Sequence, residues 1–354
     1  MKKRISALAQ NLPENCTAVI ENVDNRFYFT DFHSSLGYLV VNKNGAIFLT
    51  DSRYVEAATN HINGAEVVEF FSHATIKDVL AKLGATKVIM QSETTTVASA
   101  TALTKAFDGY EVVFDDTLDK IIASLRVIKD EGEVDYIIKA QRIAEDALTH
   151  VLGLIKVGMT EKELALALDF YMLSHGADAL SFDTIAVSGK NSSLPHGVPS
   201  DKRIENGDFI TMDFGAVYKG YHSDMTRTVA VGNVCDEQKK VYETVLEAQL
   251  RALDGVREGI RCCDADALAR NVITQAGYGD FFRHGLGHGV GVEIHEAPTV
   301  SSKSDAVLKK NMIVTVEPGI YLPNRFGVRI EDMVCVTENG CKNLTNAPKE
   351  LIIL

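Results

Sequence analysis

Residues 212–224, "MDFGAVYKGYHSD", place Asp213 and Asp224 eleven positions apart around a Lys219-Gly220 step. An apolar run, 209–217, enters this step and a β-rich run, 225–231, leaves it, which is the pattern of a β-hairpin. Gly supplies the positive φ that a two-residue turn needs. Such a turn would set Tyr218 opposite Tyr221 and Asp213 opposite Thr226, with Asp224 one diagonal step away. Side chains alternate across a strand, so both carboxylates would emerge on one face, roughly 7 Å apart. Like charges that close need a positive group between them. Lys219 and Arg227 are the local candidates, and a bound cation is the other.

The chain around this hairpin has 354 residues, enough for two domains with separate cores. Its apolar fraction, 46%, is that of a globular protein, and it has no run near the roughly 20 apolar residues of a membrane span. A net charge of −12 argues against nucleic acid or an anionic membrane as partner. The basic start "MKKRISALAQNLPENC" is broken by Gln10, Asn11 and Pro13 and makes a poor signal peptide. Six cysteines (16, 235, 262, 263, 335, 341) lack metal-ligand or redox spacing, and Cys262-Cys263 reads as a plain helical pair. A cytoplasmic location with reduced thiols is the expectation.

Up to residue 125 the pattern alternates strand and helix. "TAVIE" (17–21), "RFYFT" (26–30) and "LGYLVV" (36–41) read as strands, Asn44-Gly45 as a hairpin turn, and 87–90 and 110–114 as further strands. Helices are expected at 75–84, 95–106 and 116–125, giving an α/β domain with a mixed sheet. The boundary falls near 126–132, dividing the chain into 1–126 and 127–354. Beyond it Ile137, Ala140, Ile143, Ala144, Ala147, Leu148 and Val151 recur at helical spacing, with Gly158 as the stop. Thr160 and Glu163 form a capping box for the next helix. Short strands and glycine-rich loops follow Gly176, interrupted by helices at 236–255 and near 264–276.

Polar residues inside apolar strands gather late in the chain. "RHGLGHGVGVEIHEAP" (283–298) holds His284, His288 and His295 among glycines that disfavour helix, and in extended backbone His284 and His288 share a face. "MIVTVEPGIY" (312–321) ends an apolar strand on Glu317, and "GVRIEDMVCV" (327–336) encloses Glu331. Each residue alone has a plainer reading, as a satisfied core histidine or a solvent-facing carboxylate. Together, two Asp, one His and two Glu make an oxygen-rich ligand set. Four carboxylates balance two divalent cations, and a single imidazole without thiolate favours Mn²⁺ over a structural Zn²⁺.

The order Asp213, Asp224, His288, Glu317, Glu331 resembles the dinuclear metal signature of the pita-bread metallopeptidases. Among these it is most similar to the Xaa-Pro peptidases, aminopeptidase P and prolidase. The stretches "DFGAVYKGYHSDMTRTVAVG", "HGLGHGVGVEIHEAP", "VEPGIY" and "GVRIEDMVCVTENG" carry the resemblance. It extends over "RVIKDEGEVDYIIKAQRIAEDAL" and, more weakly, over "FYFTDFHSSLGYLVV" and "LTDSRYVEAA", where Asp31 stands at a position often held by Gly.

The resemblance implies an α/β N-terminal domain of the creatinase/prolidase kind and an α+β pita-bread catalytic domain, a curved antiparallel sheet with helices outside. It implies two divalent metal ions, Mn²⁺ first and Co²⁺ or Zn²⁺ as alternatives, on Asp213, Asp224, His288, Glu317 and Glu331. His196, His284 and His295 would line the substrate, with His284 or His295 hydrogen-bonding the developing oxyanion. Glu317 would also shuttle the proton, and Arg329 would support the ligands as a neighbouring cation; Tyr321 is left outside the catalytic set. A metal-bridging hydroxide would then cleave the Xaa-Pro bond at the N-terminus of peptides, in a cytoplasmic homodimer. Prolidase activity restricted to dipeptides is the alternative. A methionine aminopeptidase would lack the first domain, and a creatinase-like hydrolase or a non-enzymatic scaffold would lack the ligands.

Overall fold

The structure, a computed structural model, describes residues 2–354. These fall into two compact units, one up to Arg126 and the other Val127–Leu354. The first is built on a six-stranded sheet of β1 (Cys16–Ile20), β2 (Tyr38–Asn42), β3 (Gly45–Thr50), β4 (Glu66–Glu69), β5 (Lys87–Gln91) and β6 (Glu111–Asp115). In the order β4-β3-β2-β1-β5-β6, the β1–β2 and β2–β3 pairs are antiparallel and the other three parallel. Helices His73–Lys82, Val97–Ala106 and Thr117–Arg126 match the expected spans to within two residues.

"RFYFT" is not a strand. It lies in the helix Val23–Thr30, opened by the Asn22 side chain, which accepts from the Asn25 N–H at 2.9 Å. Asp31 ends that helix in the left-handed region, φ 54°. The aromatic content that reads as β-propensity instead serves burial of Phe27, Tyr28 and Phe29. The hairpin between β2 and β3 turns one residue earlier than expected, at Lys43-Asn44, because Asn42 Oδ1 accepts the Asn44 N–H at 2.8 Å. The strand Glu66–Glu69 and the helix Val55–His61 carry too little periodic signal to be read.

The second unit opens with the helix Glu131–Leu152, capped by Asp130 and Glu133. It stops at Gly153 rather than Gly158, which instead takes a positive φ in the turn before the helix Glu161–Ser174. Helices Asp236–Gly255 and Cys262–Gln275 follow. The strands are β7 (Ala179–Leu180), β8 (Ile185–Ser188), β9 (Phe209–Phe214), β10 (Ala216–Tyr218), β11 (Tyr221–His222) and β12 (Met225–Ala230). After the helices come β13 (Gly287–Gly289), β14 (Glu296–Val300), β15 (Ile313–Val316), β16 (Gly319–Leu322), β17 (Phe326–Arg329), β18 (Asp332–Val336) and β19 (Cys341–Asn343). They form antiparallel sheets in the orders β11-β10-β7, β12-β9-β8, β14-β13-β15-β18-β19 and β16-β17.

Alternation along these strands separates two environments. Ile210, Met212, Phe214 and Val229 pack with Ala144, Leu148, Leu164 and Leu168 of the first two helices. Val314, Val316, Val328, Ile330 and Val334 pack with Val241, Val245, Ala248 and Ala252 of the third. The residues between them in sequence, Asp213, Glu317, Arg329 and Glu331, therefore point to the other face. Leu148→Ala should cost about 2–5 kcal/mol of stability through lost burial and a residual cavity. A urea melt of the variant checks this, and a cost within 0.5 kcal/mol of zero (about the spread of surface substitutions) would deny the helix this role.

Candidate metal centre

The hairpin that opens the site has the expected register, Tyr218 opposite Tyr221 and Asp213 opposite Thr226. Its turn residues both lie in the left-handed region, Lys219 at φ 52° and Gly220 at φ 73°, the conformation of a type I′ turn. Lys219 tolerates this with its N–H donating to Asp178 Oδ2 at 2.5 Å. Between turn and aspartates the ladder breaks at Gly215, where a Cβ would meet Ser223 O at 1.9 Å. Only glycine allows the strands to approach there.

Neither local cation compensates the aspartates. Arg227 faces the reverse side, donating to Asp332 Oδ1 at 2.8 Å and to the carbonyls of Thr226, Glu331, Ala347 and Pro348. Asp332 also accepts from Lys349, Gln249 and Asn343. The cation on the aspartate side is Arg329, whose Nη2 donates to Asp213 Oδ2 at 2.6 Å. Asp213 Oδ1 is buried with no hydrogen-bond partner among the described residues.

His288, on β13, places its Nδ1 3.0 Å from the Gly289 carbonyl. A carbonyl only accepts, so Nδ1 carries a proton and Nε2 is the nitrogen turned toward the carboxylates. Nε2 lies 3.5 Å from Asp224 Oδ2 and 3.5 Å from Glu317 Oε1. Donor atoms of Asp224, His288 and Glu331 fall within 4.8 Å of one another. Thr226 Oγ1 donates to Glu331 Oε2 at 2.7 Å and accepts from Arg329 Nε, while Thr315 Oγ1 donates to Glu317 Oε1 at 3.1 Å. These hydroxyls fix which carboxylate oxygens stay open.

Electrostatics agree with the geometry. Burial, followed by the charges of Glu331, Asp213 and Glu317, raises the Asp224 pKa well above the usual carboxylate range. Glu331 is raised in the same way by burial and then by Glu317 and Asp213. Burial also pushes Glu317 up to about 7, with Arg329 opposing and Asp213 adding to the rise. Three carboxyls with raised pKa, one open aspartate oxygen and one imidazole nitrogen fit a pair of divalent cations.

A cavity of about 830 Å³ opens on this cluster and is also lined by His196, His284, His295, Tyr321, Phe182 and Ile294. His284 has both nitrogens committed, Nδ1 to the Gly285 carbonyl at 2.8 Å and Nε2 to the Tyr321 hydroxyl at 3.0 Å. Tyr321 in turn accepts from Arg329 Nη1 at 2.8 Å, so its proton points at His284. Burial, then Arg329, lowers the His284 pKa to about 4 and keeps the ring neutral. His295, its ring centroid 4.3 Å from that of His288, and His196 are the cavity histidines whose nitrogens make no hydrogen bond among the described residues. The His295 pKa is lowered by burial and by His288 and His196. Tyr321 is the residue that reading the sequence undervalued. Its partner Arg329 sits opposite Gly319 in the β16–β17 ladder, and that pairing was the available signal.

Residues 135–338 match the metallopeptidase family M24, and residues 13–128 match the creatinase/prolidase N-terminal domain. The chain belongs to metallopeptidase family M24. It is 43% identical over 338 residues, 95% of each chain, to the uncharacterized peptidase YqhT of Bacillus subtilis. An Xaa-Pro dipeptidase from Bacillus anthracis superposes with a TM-score of 0.96 at 43% identity over 99% of both chains. An X-Pro aminopeptidase from Thermotoga maritima does so at 0.89 and 38%, over 96% of this chain and 97% of that one. The M24 chain is thus a metal-dependent peptidase, with the creatinase-like N-terminal domain and pita-bread catalytic domain that its motifs resemble.

In the metal-free M24 protein, carboxyls with raised pKa hold protons that a cation must displace. The sign follows directly. Folded carboxyls bind protons more tightly than unfolded ones, so their stabilisation is complete below the ordinary carboxylate pKa, about 4. It is lost as pH rises through the Glu317 value of about 7. Cation uptake should therefore release protons, and the gain in Tm on adding Mn²⁺ should be larger at pH 8 than at pH 5. Titration calorimetry in buffers of different ionisation enthalpy, beside thermal melts, checks both; zero proton release with a pH-independent gain would contradict this electrostatic account.

Proposed function

We propose that this M24 peptidase hydrolyses the bond between an N-terminal residue and a following proline. The observation that carries the reading is the joint one: four carboxyls and a histidine lining one cavity, within a chain alike along nearly its whole length to an Xaa-Pro dipeptidase and an X-Pro aminopeptidase. Release of the first residue from longer peptides is the reading made from sequence. Restriction to dipeptides is the second, and the higher identity and TM-score of the Bacillus anthracis dipeptidase favour it. The domain division 1–126 and 127–354 belongs to the same proposal, as do a homodimer and a cytoplasmic location. Six free cysteines support the last.

Asp213, Asp224, His288, Glu317 and Glu331 would hold two divalent ions, Mn²⁺ first and Co²⁺ or Zn²⁺ as alternatives. When bound, such a pair supplies Lewis acidity and makes water acidic enough to attack near neutral pH. Glu317 accepts the proton of the attacking water and returns it to the departing proline nitrogen. His295 donates a hydrogen bond to the carbonyl oxygen as negative charge develops, an interaction that can supply several kcal/mol. His196 contacts the substrate from the cavity rim. Arg329 holds Asp213 in place, and Tyr321 with Arg329 fixes His284 as a neutral wall of the cavity. Proline requires a dedicated site because its nitrogen offers no N–H and its φ is fixed.

The test is hydrolysis of an Xaa-Pro dipeptide beside an Xaa-Pro-Yaa tripeptide, with Mn²⁺ and with chelator. Metal-dependent cleavage of the dipeptide alone means dipeptidase, efficient cleavage of the tripeptide at the Xaa-Pro bond means aminopeptidase, and cleavage of neither refutes the proposal. His295→Ala should lower kcat about 10²–10³-fold, the usual scale for an oxyanion donor, with metal content retained. Asp213→Ala and Glu331→Ala should lose both.

A further inference from the structure

The loop that carries His196 has few apolar anchors of its own. His196 is exposed, and its neighbours Leu194 and Val198 are 56% and 82% exposed. Yet Pro195, His196, Gly197, Val198 and Pro199 form one wall of the cavity. What shapes the loop lies behind it. Glu161, the first residue of the helix Glu161–Ser174 and only 1% exposed, aims its carboxylate at both ends of the loop.

Glu161 Oε1 accepts from the Ser188 N–H at 2.6 Å, the Ser188 hydroxyl at 3.1 Å and the Asn191 amide at 3.1 Å. Oε2 accepts from the same amide at 3.1 Å, from the Ser200 N–H at 3.0 Å and from the Ser200 hydroxyl at 2.6 Å. One buried carboxylate thus joins residues 188 and 191, where the chain leaves β8, to residue 200, where it returns. Its place at a helix N-terminus favours the charge. The segment between is held at two further points, where the Ser192 hydroxyl accepts the Gly327 N–H at 2.9 Å and where Arg329 Nη1 donates to the Pro195 carbonyl at 3.2 Å.

We propose that Glu161 is a positioning residue, a clasp that fixes the loop 188–200 so that His196 is presented to the substrate. The proposal rests on the reading of His196 as a substrate contact. A carboxylate is needed because all six bonds run toward it, and a glutamine of the same shape would turn two N–H donors against these donors.

Glu161→Gln should speed amide hydrogen exchange in 188–200. It should also lower kcat/KM for an Xaa-Pro substrate about 10–100-fold, the scale of a misplaced contact, with wild-type metal content. Because it acts through His196, Glu161→Gln should add less than threefold to the loss already caused by His196→Ala, a non-additivity that a merely structural defect would not show. Unchanged exchange in the loop, losses that multiply in the double variant, or a loss that tracks missing metal would each overturn the proposal. His196→Ala with wild-type activity would instead refute the reading of His196, and the proposal with it. If Glu161→Gln does not fold, Ser200→Ala and Asn191→Ala, which keep the carboxylate and remove part of its donors, face the same criteria.

Discussion

Everything in the catalytic unit answers to one electrostatic demand: four carboxylates gathered on one face of an antiparallel framework, buried and facing each other. Without compensation they repel, and burial with that repulsion shifts Asp224, Glu317 and Glu331 toward the protonated form. The framework supplies one fixed cation, Arg329, which neutralises Asp213 and leaves the other charge to be met by bound ions. The helices on the opposite face contribute the apolar burial that keeps this arrangement from opening. A stable reverse side is what allows the site to remain electrostatically frustrated.

How much of this was readable depended on the range of the interactions. Alternation is local, so Asp213 and Asp224 could be assigned a common face from the residues around one turn. The hairpin register was equally local, since Lys219-Gly220 set it within a few residues. Helices long enough to repeat their apolar spacing were found near their true limits. "RFYFT" failed because its helix is defined by the Asn22 cap and by burial of three aromatic rings. Neither is visible in a five-residue window, and β-propensity yields to such context. Gly158 misled for a related reason, marking the next helix's entry rather than the previous one's end.

The site was legible as a set of residue types and much less so as a network. Arg227 was a plausible partner for the aspartates by proximity in sequence, yet it faces away, and Arg329, over a hundred residues distant, takes that place. Tyr321 gained its meaning only from the pairing that sets it between Arg329 and His284. The role of Arg329 depends on contact between strands far apart in the chain. Such a role emerges from tertiary structure, whereas the candidate ligands already stood out as a set of polar residue types at strands and strand ends.

The reverse-side arginine also bears on how the protein is made. Arg227 binds the carbonyls of Ala347 and Pro348, Lys349 joins it on Asp332, and Ala230 pairs with Ile352 and Leu354. Strands that present Asp224 and Glu331 are thus locked by residues translated more than a hundred positions after the hairpin. A nascent chain emerging from the ribosome holds the hairpin long before it holds the lock, and domains beyond about 100–150 residues commonly pass through partly packed intermediates. The framework that carries Asp224 and Glu331 is therefore complete only once residues 347–354 have joined it.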